Sequence, residues 1–231
     1  MENFINHLKS SPETANQFIV GVMKQNFSND QYWHEVCPLF DFSNSKVENW
    51  VLENLDLFNL DCLTMYAHNI SPKIIDLILD SDNIKLVNLD NLLKYQHLST
   101  QQIDLYIHLV DLTQINWTLL QEYQTLTPNF IAKYVQYLDW ELISENQFMD
   151  LKFLLLNKSK ISWHLIPLNH HLQPIINSSF LKLFADTNIW EGIGWLDNDL
   201  VTTDMLINEF GTYLTPKALR SIQMREKRLI F

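Results

Sequence analysis

His164, His170 and His171 lie close together in the chain, and clustered imidazoles are a common start of a metal site. Zinc asks for four nitrogen, sulfur or carboxylate ligands at short spacings. No cysteine or carboxylate stands at ligand spacing to complete this set. His170 also follows Trp163 by seven residues, as Gln96, Gln124 and Gln147 follow Leu89, Trp117 and Trp140. A position that accepts glutamine calls for a hydrogen-bonding group near a helix end, so no metal and no cofactor are expected. Asp197-Asn198-Asp199 resembles the opening of a calcium loop but lacks its later glycine and bidentate glutamate, and reads as a loop or cap. Cys37 and Cys62 sit among apolar residues and read as inert core thiols, not as a disulfide framework. There is no G-x-S-x-G elbow and no cysteine beside a histidine motif. No catalytic residue is assigned, and the chain is not expected to be an enzyme.

Aromatic side chains could stack single-stranded bases. Trp33, Trp117, Trp140, Trp163 and Trp190 share one repeat position, yet Leu89 fills the same slot and cations do not interleave with the indoles. These rings are expected between neighbouring helices, each indole N–H on a carbonyl. Trp195 is off register beside Gly192 and Gly194 and is expected at the surface. The net charge of −11 repels phosphate backbones, so nucleic-acid binding is not expected. Only the tail departs from this acidity. From Lys217 to Phe231 it holds Lys217, Arg220, Arg225, Lys227 and Arg228 against Glu226, and reads as a helix cap or a docking peptide.

The elements that carry these residues recur. Ser43, Ser71, Ser99 and Thr127 are 28 residues apart, and Asp150 and Gln173 follow at intervals of 23. A period of this length marks stacked helical units. At each boundary a short polar side chain can cap a helix, and a proline often follows at the first helical position, where its missing N–H costs nothing. Thr127-Pro128 then leads Phe130, Ile131, Tyr134, Val135 and Leu138 on one stripe. Ser71-Pro72, Ser99, Gln173-Pro174, Ser11-Pro12 and Thr215-Pro216 read the same way. A second, shorter helix begins near Leu89, Trp117, Trp140 or Trp163 and carries Leu92, Leu120, Ile143 or Ile166 inward. Its closing glutamine is expected to bond the backbone of the neighbouring unit. Pro38 and Pro167 fall near the ends of these second helices.

The segment from Leu126 to Ile131, followed by Leu138-Asp139-Trp140-Glu141-Leu142-Ile143-Ser144 and Gln147, resembles a short α-helical repeat of large DNA viruses, large bacteriophages and some bacteria. That repeat is written leucine–serine–x–x–phenylalanine–isoleucine, then aspartate–tryptophan–x–x–isoleucine–serine and a glutamine. The match is close from Ser99 to Phe148 and looser from Ser43 to about Leu200. The resemblance implies a helical architecture and a viral or phage gene; it implies no reaction and no site residue.

The expected fold is therefore all-α, a solenoid-like stack of helix–turn–helix repeats in one domain. Residues 1–42 form a divergent N-terminal cap, 43–200 the repeats, and 201–231 a divergent C-terminal cap with the basic tail. No apolar run approaches the length of a membrane span, and residues 1–10 lack the apolar core of a secretion signal. An intracellular or virion location is expected. The expected role is protein binding, as an adaptor or inhibitor, or else as a cementing component of a virion. The candidate contact residues are Asp82, Asn83, Lys85 and Asn88 in the polar insertion of residues 81–88, with Trp195, Arg220, Arg225, Lys227 and Arg228. Insertions in helical repeats map to one face.

Overall fold

The computed structural model describes residues 34–80 and 82–228, with side chains as far as residue 224. Ser11-Pro12, Trp33 and Ser81 lie outside the described residues, as do the side chains of Arg225, Lys227 and Arg228. Every regular element among the described residues is helical. Internal contacts divide the chain into two compact units, residues 1–124 and 125–231, and each is described by itself.

In the first unit, the helices Ser45–Glu53, Pro72–Ile78 and Thr100–Leu109 alternate with a second set, Leu60–Tyr66, Leu89–Tyr95 and Trp117–Tyr123. Leu60–Tyr66 packs on Leu89–Tyr95, and Leu89–Tyr95 on Trp117–Tyr123. In the second unit, Pro128–Lys133, Leu151–Leu156, Ser178–Leu183 and Thr203–Phe210 alternate with Trp140–Asn146 and the 3-10 helices Trp163–Leu168 and Asn188–Glu191. The helix Pro216–Arg228 closes that unit against the 3-10 turn Ile193–Trp195.

Helices of six to ten residues are marginal alone in water, so their ends and buried faces must hold them. Side-chain oxygens of Ser71, Ser99, Thr127, Asp150 and Thr215 accept the N–H three residues on, as the sequence pattern requires. Ser99 completes a capping box: Gln102 Oε1 accepts the Ser99 N–H at 2.9 Å. The third and fourth residues after each cap point inward. Ile74 and Ile75, Phe130 and Ile131, Phe153 and Leu154, and Phe180 and Leu181 are all buried. Leu92, Leu120, Ile143 and Ile166 of the second helices are 0 % exposed.

Two boundaries fall elsewhere than the spacing indicates. The hydroxyl of Ser43 is held by Asp41 at 2.6 Å, and Asn44 caps the helix instead. Gln173 opens only a 3-10 turn, Gln173–Ile175; Asn177 caps the helix Ser178–Leu183. Glutamine is too long to fold back onto its own helix N-terminus, whereas asparagine reaches it. Pro167 lies inside the 3-10 helix Trp163–Leu168. In an α-helix the proline ring would clash with the carbonyl four residues back, which disfavours the α form here.

The indole position is graded in depth. Trp163 and Trp190 are buried, whereas Trp117 and Trp140 are only half-buried, short of the core position expected of them. Trp140 stacks on Phe153, Trp163 lies 4.3 Å from Phe184, and Trp190 lies 5.2 Å from Phe210. Each ring thus covers the helix that follows it. The indole N–H groups of Trp117, Trp163 and Trp190 donate to Leu112, Lys158 and Ala185, in each case five residues back.

Candidate interaction surface

Buried carboxamides fix the geometry from which any surface is presented. Gln96 Nε2 donates to the carbonyls of Thr64 and Ala67 at 2.6 and 2.8 Å, at the end of the preceding second helix. Its Oε1 accepts from Ile70 N–H, immediately before the Ser71 cap. Gln124 repeats the arrangement on the carbonyls of Leu93 and Gln96 and the N–H of Leu98. Gln147 accepts from Leu126 N–H at 2.8 Å.

His170 does not continue this series. Asn169 does, donating to Ser144 and Gln147 at 2.9 and 2.8 Å. Asn169 stands six residues after Trp163, in a second helix of 3-10 form, against seven for the glutamines. His170 and His171 remain exposed with their rings 4.0 Å apart. Partial loss of hydration, and then its neighbour His170, hold His171 below the usual histidine pKa. Asn198, from the triplet read as a loop or cap, is a further member and bonds the carbonyls of Gln173 and Ile176. Asparagine is one methylene shorter than glutamine, and its oxygen turns to its own backbone, at His171 N–H or Leu200 N–H.

The insertion residues have mixed assignments. Asn83 donates to Leu77 O at 2.8 Å, and Asn88 caps the helix Leu89–Tyr95, so both hold the framework. Asp82 and Lys85 are exposed and pair with each other at 3.6 Å. Leu86 beside them is 66 % exposed. Trp195 is half exposed, as its register indicates. Arg220 is exposed, its Nε donating to Pro216 O. Cys37 is buried and its thiol is pushed up to about 12, by burial first and then by Cys62. Cys62 is only half-buried, unlike the core thiol expected.

Exposed leucines escaped the sequence reading. Six residues after the caps Ser71 and Ser99 in the first unit stand Leu77 and Leu105, and six after Asp150 and Asn177 in the second stand Leu156 and Leu183, each at least 40 % exposed. The signal was available as a leucine recurring outside the inward period.

Among the described residues, no three His, Cys, Asp or Glu side chains gather closely enough to hold a metal ion. No helix among them is long and apolar enough to cross a membrane. No protein-family model, curated protein or solved structure matches the chain.

Proposed function

We propose that the chain is a solenoid-like stack of helical hairpins that works without catalysis, as an adaptor or inhibitor that binds a protein. The viral or phage origin implied by its repeat belongs to the same proposal. The observation that carries it is the exposed leucine six residues after a helix cap, which recurs within each unit: Leu77 and Leu105 in the first, Leu156 and Leu183 in the second. Apolar side chains repeated at one surface position offer a partner contact area without weakening the core beneath. The carboxamide bonds between successive second helices, within each compact unit, support the stacked arrangement.

The test is affinity capture of the full chain from its native cells, with cross-linking mass spectrometry. The expected result is one protein recovered in fixed ratio and cross-linked to surface lysines such as Lys85 or Lys152. Recovery of chaperones alone would end this reading.

A further inference from the structure

The chain is acidic, with 27 Asp and Glu against 16 Lys and Arg. Yet from Leu151 to Ala185 it has no carboxylate at all, and four lysines: Lys152, Lys158, Lys160 and Lys182. Two of these are answered by acids beyond the stretch, Lys158 by Asp186 at 2.6 Å and Lys182 by Glu209 at 2.9 Å. Lys152 and Lys160 stand instead on the rim of a groove between the helices Pro128–Lys133 and Leu151–Leu156.

The groove consists of two adjoining hollows of about 440 and 150 Å³ that share Ala132, Phe153 and Asn157. Ala132, the fifth residue after the Thr127 cap, lines both hollows with a small side chain, where the helices capped by Ser71 and Ser99 carry Asp76 and Asp104. Phe153 and Trp140, stacked on one another, form its apolar wall, and Leu156 at its edge is 74 % exposed. The one carboxylate lining it, Asp150, is engaged in capping, accepting Phe153 N–H at 2.7 Å. All of the residues lining the groove belong to the compact unit of residues 125–231.

We propose that this groove binds an acidic amphipathic helix of a partner protein. Apolar side chains three and four residues apart would lie against Leu156 and the exposed part of Trp140, and carboxylates on the flanking face would meet Lys152 and Lys160. The proposal rests on the protein-binding reading above and adds a place and a sign of charge. A nucleic-acid strand fits less well. Base stacking needs open ring faces, and the Trp140 ring is already stacked on Phe153 with the Lys160 ammonium 5.3 Å from its centroid. The acidity of the rest of the chain also opposes phosphates.

The test selects random peptides of about 16 residues, long enough for four helical turns, displayed on phage. They are panned against the full chain, against Ala132→Trp, and against Lys152→Glu with Lys160→Glu. All three positions are exposed, so both variants are expected to fold, which circular dichroism and melting temperature check. The wild-type chain should enrich peptides rich in Asp and Glu with apolar residues at helical spacing. Filling the groove should abolish their binding, and reversing the lysines should weaken it by at least about ten-fold. Peptides that are basic or uncharged, or that bind Ala132→Trp as well as wild type, overturn the groove and leave the protein-binding reading standing. No enrichment on any of the chains overturns both. Binding of an oligothymidylate that is lost in the lysine variant overturns the proposal in favour of nucleic acid. Self-association abolished by Ala132→Trp overturns it in favour of a second copy.

Discussion

The carboxamide of Gln124 donates to the main-chain carbonyl of Gln96, at 2.7 Å, and Gln96 itself performs the same task 28 residues earlier. Asn169 stands in the same relation to Gln147, at 2.8 Å. Each staple thus grips the backbone that presents the staple before it. The groups concerned are buried, Gln124 being 3 % and Asn169 0 % exposed, so water cannot replace a lost partner. Error in one such contact is therefore felt by two neighbouring helices.

Replacing Gln124 with leucine keeps the volume roughly but strands the carbonyls of Leu93 and Gln96 and the N–H of Leu98. A buried group left without its partner costs about 1–3 kcal/mol, so a loss of about 2–4 kcal/mol is expected in urea denaturation. Gln124→Glu should be no better, because an ionised carboxylate has no proton to give either carbonyl. A loss under about 0.5 kcal/mol in both variants would contradict the role given to this side chain.

Tyr106 is 0 % exposed, and its hydroxyl has no hydrogen-bond partner among the described residues. Burial, then the charge of Asp90, raises its pKa from 10.0 to about 12. The folded value lies above the unfolded one. This group's contribution is therefore whole below pH 10 and is lost as the pH climbs through 12, because the unfolded chain releases its proton first. Tyr106→Phe should be neutral or stabilising by up to about 1 kcal/mol at neutral pH, and should flatten the alkaline fall of the melting temperature. A large destabilisation at neutral pH would mean the hydroxyl is satisfied.

Gly192 and Gly194 are needed for close approach. A Cβ on Gly192 would sit 1.9 Å from His164 O, and one on Gly194 would sit 2.3 Å from Ser221 Cβ. Either change to alanine forces backbone apart and should cost more than about 2 kcal/mol. Gly211→Ala meets nothing within 4 Å and should be neutral or slightly stabilising, since alanine restricts the unfolded chain more than glycine. Melting curves of the three variants decide it; equal effects would count against the packing described.

The thiols should separate kinetically. Cys37 is buried, with its pKa pushed up to about 12, and reactivity requires thiolate and access together. An aromatic disulfide reagent at pH 8 should label Cys62 first and reach Cys37 only as the chain unfolds. Equal labelling rates in the native protein would show that Cys37 is open to solvent.

Much of the framework was legible because it depends on short-range chemistry. Ser71, Ser99, Thr127, Asp150 and Thr215 cap helices for reasons contained in a few residues, and Gln96, Gln124 and Gln147 stand at a constant distance from the residue opening each second helix. The pattern failed where the backbone changed pitch. One second helix, Trp163–Leu168, holds Pro167 and is of 3-10 form, and there Asn169 provides the staple in place of His170; the added turn at Gln173–Ile175 moves the next cap to Asn177. The depth of Trp117 and Trp140 was not legible either, since it depends on what the following helix supplies. The groove lined by Ala132 was not legible, since a small exposed side chain leaves no mark in a periodic pattern.

The measurement closest to the central claim is exchange of the side-chain carboxamide protons by nuclear magnetic resonance in the full chain. Free carboxamides exchange with water quickly at neutral pH. Both protons of Gln96, Gln124 and Asn169 should be strongly slowed, with nuclear Overhauser contacts to residues 64–67, 93–96 and 144–147 respectively. Exchange at the rate of a free glutamine or asparagine, in a chain that is otherwise helical, would contradict the stapled framework and with it the surface built on it.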